Sequence, residues 1–306
     1  MGKEDEELFN AVQKISRTGA KTPEDLRTVM ASYVSDNPLN WVFAELVLLE
    51  QFREAAPSAL EKSLWGDKWL AWRTLLAIQT LGPDAACLKP SLLRLLETTR
   101  DLGVKAYVLE MLPSVFPGEQ WLIDCLVEYQ DDASSCVAVS AAGTLASMGK
   151  GDAERRARII EQAMDDPDPL ARATAARFMG LYPFPSSSAV SKLCSFLHDS
   201  DPAVKHQAAL SLARLDVRSV ADEISQMLQD KESPYNKGLC GEMFPVVNQV
   251  PFWRELLKRA VAEEFETQVW LAEARKLGTP EQGGEAFAAK AKEILARRCG
   301  QPGLLD

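Results

Sequence analysis

An internal repeat with a period of about 33 residues constrains the fold of this chain more than any other feature. The segments DDPDPLARATAARFMGL (Asp165–Leu181) and HDSDPAVKHQAALSLARL (His198–Leu215) superimpose when one is shifted by 33 residues. The shift places one Asp-Pro dipeptide on the other and one Ala-Ala pair on the other. A unit of this size cannot bury its own apolar face, so successive copies must stack against one another.

Weaker copies continue this register in both directions, and we count eight copies in the 306 residues. The outer copies contain Asp36-Asn37-Pro38, Trp72-Arg73, Val104-Lys105, Ala141-Ala142, Lys237 and Val269-Trp270. No linker long enough to separate independent domains interrupts them. We therefore predict one array over residues 36–280, with a helical N-terminal cap over 1–35 and a C-terminal capping helix and tail over 281–306.

Each copy contains two apolar runs with the spacing of an α-helix. In the best-defined first run, Val190, Leu193 and Leu197 share one helical face. An Asp-Pro turn follows, in which Asp is a favoured N-cap and Pro fits the first helical turn. No segment sustains the alternation of apolar and polar residues that is typical of strands. The sequence predicts an all-α fold, a right-handed α-α superhelix of about eight helix pairs.

The pattern D-x-D-P-x-[V/A]-[K/R]-x-x-A-A-x-x-[L/M] resembles HEAT repeats, in particular the short bacterial type of phycobilin lyase-like proteins. The resemblance covers residues 36–278 and is most specific at Asp166–Leu181 and Asp199–Leu215. It implies antiparallel helix pairs stacked into a curved solenoid, with the second helix of each pair on the concave side. It carries almost no information about activity.

Charge and hydropathy restrict the partners and the compartment. The chain has 34 Lys and Arg against 44 Asp and Glu, a net charge of −10, which makes nucleic acid an unlikely partner. No apolar run reaches the roughly 18 residues that a membrane span needs. Glu4–Glu7 stand where a signal peptide would be basic and then apolar. We expect a cytoplasmic protein with no membrane segment.

Sequence motifs for catalysis or metal binding are missing. The only histidines are His198 and His206, and the six cysteines form no CxxC pair. HEAT-like deoxyhypusine hydroxylases hold iron with several His-Glu pairs, whereas Asp199 and Gln207 follow the histidines here. We predict no enzymatic activity, no metal and no cofactor. Two alternatives remain: a phycobilin lyase-like or other HEAT-repeat lyase subunit, and a HEAT-like DNA glycosylase.

Two further patterns have competing interpretations. Trp65, Trp69 and Trp72 have the spacing of one helical face, which indicates packing between repeats or, alternatively, an aromatic ligand site.

A basic residue also recurs in the second helices, at Arg73, Lys105, Arg172, Lys205 and Lys237. The resemblance implies that this residue bonds a turn aspartate of the same or an adjacent repeat. The candidate aspartates are Asp132, Asp166, Asp199 and Asp230.

Aligning the copies identifies which residues of each second helix lie off its apolar stripe. These residues are expected to face the concave groove of the solenoid. Ala173 is expected on this exposed side, whereas Ala176 and Ala209 are expected in helix crossings. The mixed composition of the exposed column suits recognition of a protein or peptide. We predict a non-catalytic scaffold or adaptor that binds another protein on its concave face. The predicted contact residues are Tyr107, Glu110, Arg177, His206, Gln207 and Arg214.

Overall fold

The computed structural model describes residues 3–19, 21–181, 186–230, 239, 243, 250–262 and 269. All regular elements in these residues are helices, which confirms the predicted all-α fold. The α-helices are α1 (Lys3–Thr18), α2 (Pro23–Tyr33), α3 (Pro38–Gln51), α4 (Ala56–Leu60), α5 (Lys68–Leu81), α6 (Lys89–Thr98), α7 (Leu102–Val115), α8 (Gln120–Tyr129), α9 (Ser135–Ser147), α10 (Ala153–Ala163), α11 (Pro169–Met179), α12 (Ser187–Phe196), α13 (Pro202–Arg214), α14 (Ala221–Gln229) and α15 (Pro251–Ala260). Short 3-10 helices cover Glu61–Trp65, Gly82–Leu88 and Arg218–Val220.

The helices alternate along the chain as first and second members of pairs, as the repeat predicts. The second members, which we call the second helices, are α3, α5, α7, α9, α11 and α13. Helix α3 packs on α2, α9 on α8, and α13 on α12. Consecutive second helices also pack on each other, α3 on α5, α5 on α7, and α7 on α9. The copies around Lys237 and Trp270 and the C-terminal cap lie outside the described residues.

The chain divides into two compact units, Met1–Ala175 and Ala176–Asp306. The division falls inside the continuous helix α11 and not at a linker. The core of the first unit is one apolar cluster that runs from Val12 to Leu145. It contains fully buried large side chains such as Tyr33 and Leu75, each contributed by a different helix. The stacking of the pairs thus buries one continuous core, as expected of an array.

Aspartate side chains close the turns that lead into the second helices. In three turns the carboxylate accepts a hydrogen bond of 2.8–2.9 Å from the backbone N–H two residues on: Asp132 from Ser134, Asp166 from Asp168, and Asp199 from Asp201. Asp201 then caps α13, because its Oδ1 accepts from the backbone N–H groups of Ala203 and Val204. The repeated aspartates therefore fix the residue before each helix, and Asp201 satisfies backbone donors that the first helical turn leaves without partners.

The recurring basic residue also bonds to these turns, in more than one way. Lys105 Nζ lies 2.6 Å from Asp132 Oδ2 of the following turn, as predicted for an adjacent repeat. Arg172 Nη1 instead donates to the backbone carbonyls of Asp166 and Pro167 in its own turn, at 2.9 and 3.0 Å. The two residues fix the positions of turns, Lys105 through an aspartate carboxylate and Arg172 through backbone carbonyls.

Second helices in the middle of the chain are buried on nearly every side. In α9 all ten residues from Cys136 to Leu145 are buried. Helices α7, α8 and α10 cover α9 from three sides. Ala173 of α11 is only 6% exposed, so the expectation that it lies on an exposed side was wrong. Small side chains allow neighbouring helices to approach closely, and the neighbours then cover these side chains.

Candidate functional site

The six predicted contact residues lie on three second helices. Tyr107 and Glu110 lie one turn apart on α7, and both are half-buried. Arg177 lies in the last turn of α11, where its guanidinium stands 4.6 Å from the ring centroid of Phe178. The remaining three, His206, Gln207 and Arg214, lie on α13. The structure thus brings Tyr107 and Glu110 together on one helix face and places the other four on two other helices.

His206 contributes almost no surface. Its side chain is 4% exposed, and it lies among the buried residues of α13. The adjacent Gln207 is half-buried, as is Arg214 at the end of the helix. His206 has the same register position in α13 as Ala173 has in α11, and neighbouring helices bury both side chains. As a surface for a partner, α13 therefore offers Gln207 and Arg214 and not His206.

The N-cap residues define the register of the second helices. Asp67 caps α5 and Asp101 caps α7, since each carboxylate accepts a 2.9 Å hydrogen bond from the backbone N–H three residues on. Counted from these caps, Arg73 and Tyr107 occupy the same position. The prediction that aligned Arg73 with Lys105 was therefore wrong by two positions, which rotates a side chain by about 200° around a helix.

Large apolar side chains are exposed at a matching register position of two consecutive second helices, α3 and α5. Leu46 is the ninth residue of α3, and Leu76 is the ninth residue of α5. Leu76 is 48% exposed, and Trp69, two turns before it on α5, is 77% exposed. We call the surface formed by the following residues the α3–α5–α7 face: Val42, Leu46, Trp69, Trp72, Leu76 and Tyr107.

Aromatic and polar contacts join α5 to α7 beneath this face. The rings of Trp72 and Tyr107 lie with their centroids 4.7 Å apart and their planes tilted by 34°. The Tyr107 hydroxyl donates a 2.6 Å hydrogen bond to Oε1 of Gln79, which lies two turns after Trp72 on α5. At the other end of the helices, Lys68 Nζ lies 2.9 Å from Asp101 Oδ2. The two helices are therefore held in register along their length, and the Trp72 ring is fixed against α7.

Arg73 joins α5 to the preceding pair. Its guanidinium carbon lies 5.1 Å from the ring centroid of Trp41 on α3 and 5.6 Å from that of Tyr33 on α2. Its Nη1 donates a 3.2 Å hydrogen bond to the backbone carbonyl of Ser35 in the intervening turn. Arg73 therefore has the structural role predicted for the recurring basic residue. Its partners are a backbone carbonyl and two aromatic rings, in place of a turn aspartate.

Carboxylates border the α3–α5–α7 face. Burial raises the pKa of Glu45 above its ordinary value, and the nearby Arg73 charge opposes the shift. Burial also raises the pKa of Glu50, which lies one helical turn after Leu46. On α7, Glu110 Oε1 accepts a 2.8 Å hydrogen bond from the hydroxyl of Ser140. The apolar surface is therefore bordered by acidic side chains on both α3 and α7.

The three clustered tryptophans, Trp65, Trp69 and Trp72, do not share one role: some pack between repeats and some are exposed. Trp72 packs between adjacent repeats against Tyr107, as the structural interpretation predicts. Trp69 projects into solvent, and Trp65 is also exposed, with the guanidinium of Arg94 5.1 Å from its ring centroid. Packing between repeats is thus wrong for Trp69, whereas Trp65 is exposed and also contacts Arg94 of α6 in the next pair. Their exposure is compatible with an interaction surface.

Sequence reasoning identified Tyr107 and raised a ligand site at the tryptophans, but it missed Val42, Leu46 and Leu76. The signal was present, because counting from Asp67 places Trp69, Trp72 and Leu76 on the same side of α5. The alignment on basic residues concealed this pattern by shifting α5 by two positions relative to α7. Among the described residues, no group of three His, Cys, Asp or Glu side chains has the arrangement of a metal site. No helix in the described part of the chain has the length and apolar character to cross a membrane.

Comparisons with known proteins identify the repeat. Residues 156–242 match the family model of HEAT repeats. The chain contains HEAT repeats. This match confirms the resemblance seen in the Asp-x-Asp-Pro pattern, and it covers α10 to α13 together with the residues that follow to position 242. The α3–α5–α7 face lies in earlier pairs of the chain.

Several solved structures are similar to this HEAT-repeat chain. YibA from E. coli has a TM-score of 0.43 and 15% identity, and the match covers 87% of this chain and 98% of YibA. Human deoxyhypusine hydroxylase in complex with glycerol has a TM-score of 0.42 and 17% identity, with 79% and 96% covered. Kap121p bound to Ste12p has a TM-score of 0.45 and 16% identity, with 84% and 30% covered. A search of curated protein sequences finds no match.

Proposed function

We propose that this HEAT-repeat chain is a non-catalytic scaffold or adaptor that binds a segment of another protein on the α3–α5–α7 face. One observation carries the proposal: Val42, Leu46, Trp69 and Leu76 are exposed on one side of stacked helices. Contiguous exposed apolar surface is typical of interaction sites, and tryptophan is enriched among the residues that dominate binding. Covering these side chains with a partner removes apolar surface from water, which favours association.

The ionisable groups of this region support binding more than catalysis. Arg73 is engaged with the Ser35 carbonyl and two aromatic rings, and the Tyr107 hydroxyl is bonded to Gln79. Glu110 accepts a hydrogen bond from Ser140. A nucleophile with an adjacent base would indicate covalent catalysis. The Ser140 hydroxyl beside the Glu110 carboxylate has that chemistry, but Ser140 is fully buried, so a substrate does not reach it. The polar groups instead hold the helices in place under an apolar surface.

The second unit contributes a separate set of predicted contacts. Arg177, Gln207 and Arg214 are half-buried on α11 and α13 and remain predicted contacts of a protein partner. They differ in chemistry from the α3–α5–α7 face, because none is apolar. We therefore test them apart from the apolar surface.

A comparative pull-down tests the proposal. The wild-type chain and the variant with Leu46→Ser, Trp69→Ser and Leu76→Ser are immobilised, and proteins captured from the native lysate are quantified by mass spectrometry. We expect the specific partners to be depleted at least tenfold on the triple variant, because three exposed apolar side chains are lost at the centre of the surface. The second-unit residues are tested by a separate variant with Arg177, Gln207 and Arg214 replaced by Ala.

A matched control uses exposed apolar residues outside the face. Val34, Val127 and Leu181 are also exposed, and their replacement by Ser removes similar apolar area from other surfaces. Circular dichroism and thermal melts verify that both triple variants fold. If the two variants retain the same partners with equal affinity, the α3–α5–α7 face is not the binding surface.

A further inference from the structure

We infer that the segment that binds the α3–α5–α7 face is basic and amphipathic, with apolar side chains placed against Trp69, Leu46 and Leu76 and with Lys or Arg side chains placed against Glu45, Glu50 and Glu110. This inference rests on the proposed function, because it names the chemistry of the partner at the same surface. Two observations together support the inference: the exposed apolar surface and the acidic side chains that border it.

The apolar part of the surface selects for apolar anchors. Trp69 has 77% of its surface exposed, far above the exposure of Trp72 on the next turn, which is held between repeats. Leu46 and Leu76 occupy the same register position on adjacent helices, and α3 packs on α5. Trp69 and Leu76 lie on the same side of α5, two turns apart, so the exposed residues line a strip and not a single point. An extended or helical segment with several apolar residues fits such a strip.

The charged border selects for basic residues. Glu45 immediately precedes Leu46, and Glu50 lies one turn after Leu46, so both carboxylates adjoin the apolar strip on α3. Neither carboxylate accepts a hydrogen bond from the residues that the structure describes. Glu110 stands on α7 at the register position of Leu46 and Leu76. A partly dehydrated carboxylate gains most from a cation that arrives with the partner, since such a pair is weakly screened once covered.

The two cations on α5, Lys68 and Arg73, are held in contacts of their own. The Lys68 ammonium is paired with Asp101 at 2.9 Å. The Arg73 guanidinium is directed at the Ser35 carbonyl and covered by the Trp41 ring. The net charge of −10 adds to the attraction for a basic segment. It also disfavours a second copy of this chain as the occupant, because two acidic borders would face each other.

A peptide selection tests this inference. The whole chain is immobilised, peptides are selected from a random library displayed on phage, and the enriched peptides are synthesised for fluorescence anisotropy. We expect enriched peptides with a positive net charge and at least two Leu, Ile, Phe or Trp residues. Trp69→Ser with Leu76→Ser should weaken their binding at least tenfold. Glu45→Gln with Glu50→Gln should weaken it about threefold to tenfold and make it less sensitive to salt.

The possible outcomes separate the inference from the proposed function. If neutral or acidic peptides are enriched and bind the face, the basic partner is wrong and protein binding at this surface stands. If enriched peptides bind the Trp69→Ser, Leu76→Ser variant with unchanged affinity, both the surface and the inference are wrong. If no peptide is enriched, the proposed function fails as well. A chain that sediments as a dimer, and as a monomer after these two substitutions, would identify a second copy as the occupant and overturn the inference.

Discussion

Helices α5 and α9 occupy equivalent places in their pairs and differ in what they expose. In α5 the large side chains of Trp69 and Leu76 face solvent. In α9 the sequence SCVAVSAAGTLAS provides small residues, and ten consecutive positions are buried. Both helices pack against their neighbours in the same first unit, so the difference arises from side-chain size at equivalent register positions and not from connectivity.

This contrast shows that the regularity of a copy reflects how tightly its helices are packed. The best-conserved copies within the chain, around α11 and α13, contain the Ala-Ala pairs, and those alanines are fully buried. Close approach of helices at these positions allows little variation in side-chain size. The copies at α3 and α5 match the pattern poorly and carry the exposed apolar residues. The regular copies are therefore the ones constrained by packing, and the irregular copies are where a binding surface has room to differ.

The largest difference is expected between two tryptophans. Trp253 of α15 is fully buried, and its Nε1 donates a 2.9 Å hydrogen bond to Asp216 Oδ1. Trp253→Ala should therefore destabilise the second unit by about 3–5 kcal/mol, because a large cavity is left and an acceptor loses its donor. Trp69→Ala should change stability by less than about 0.5 kcal/mol. Urea unfolding followed by circular dichroism measures both, and equal losses would mean that Trp69 is packed.

A second experiment compares alanines in α11 with one on an exposed surface. Ala173→Leu and Ala176→Leu should each destabilise the chain by about 1–3 kcal/mol, because both sites are buried and overpacking displaces the adjacent helix. Ala153, the exposed first residue of α10, provides the control, and Ala153→Leu should cost less than about 0.5 kcal/mol. Thermal melts rank the three variants. An Ala173→Leu variant as stable as the control would restore the original assignment of that side as exposed.

A third experiment concerns the ion pair between α7 and the turn before α9. Lys105 and Asp132 are 19% and 15% exposed, so Lys105→Met leaves a largely buried carboxylate without its cation. We expect a loss of about 1–3 kcal/mol in the free energy of unfolding. Arg27→Met removes the exposed pair with Glu24 and should cost at most about 0.5 kcal/mol. Similar losses in the two variants would show that the buried pair does not fix the turn.

The smallest effect is expected at Glu45 and depends on pH. Burial raises its pKa in the folded chain, so the folded state holds this proton more tightly than the unfolded state does. The group therefore favours folding at low pH, and that contribution is lost as the pH rises through the folded pKa. Glu45→Gln should raise the melting temperature slightly at pH 7, and the gain should shrink as the pH falls towards 4. A gain that grows on acidification would contradict the raised pKa.

The repeat predicted much of the architecture because it reports local chemistry. Asp-Pro turns, capping carboxylates and helical apolar spacing act within a few residues of one another, and Asp201 caps α13 as its sequence position indicates. Lys105 likewise reaches Asp132, an aspartate of the adjacent repeat that the pattern named. Where the pattern weakened, as between Arg73 and Lys105, the predicted register was wrong by two positions.

Exposure of the second helices was the part that sequence alone could not supply. The position of His206 or Ala173 on a helix follows from the sequence, but its burial depends on how closely three or more neighbouring helices approach, which is a property of the packed array. The sequence determined the helices, their order, their caps and their identity as HEAT repeats, because these follow from short-range patterns that recur along the chain. Only the tertiary structure decided that Trp72 is held against Tyr107 while Trp69 faces solvent, since one turn of helix separates a contact between repeats from open surface.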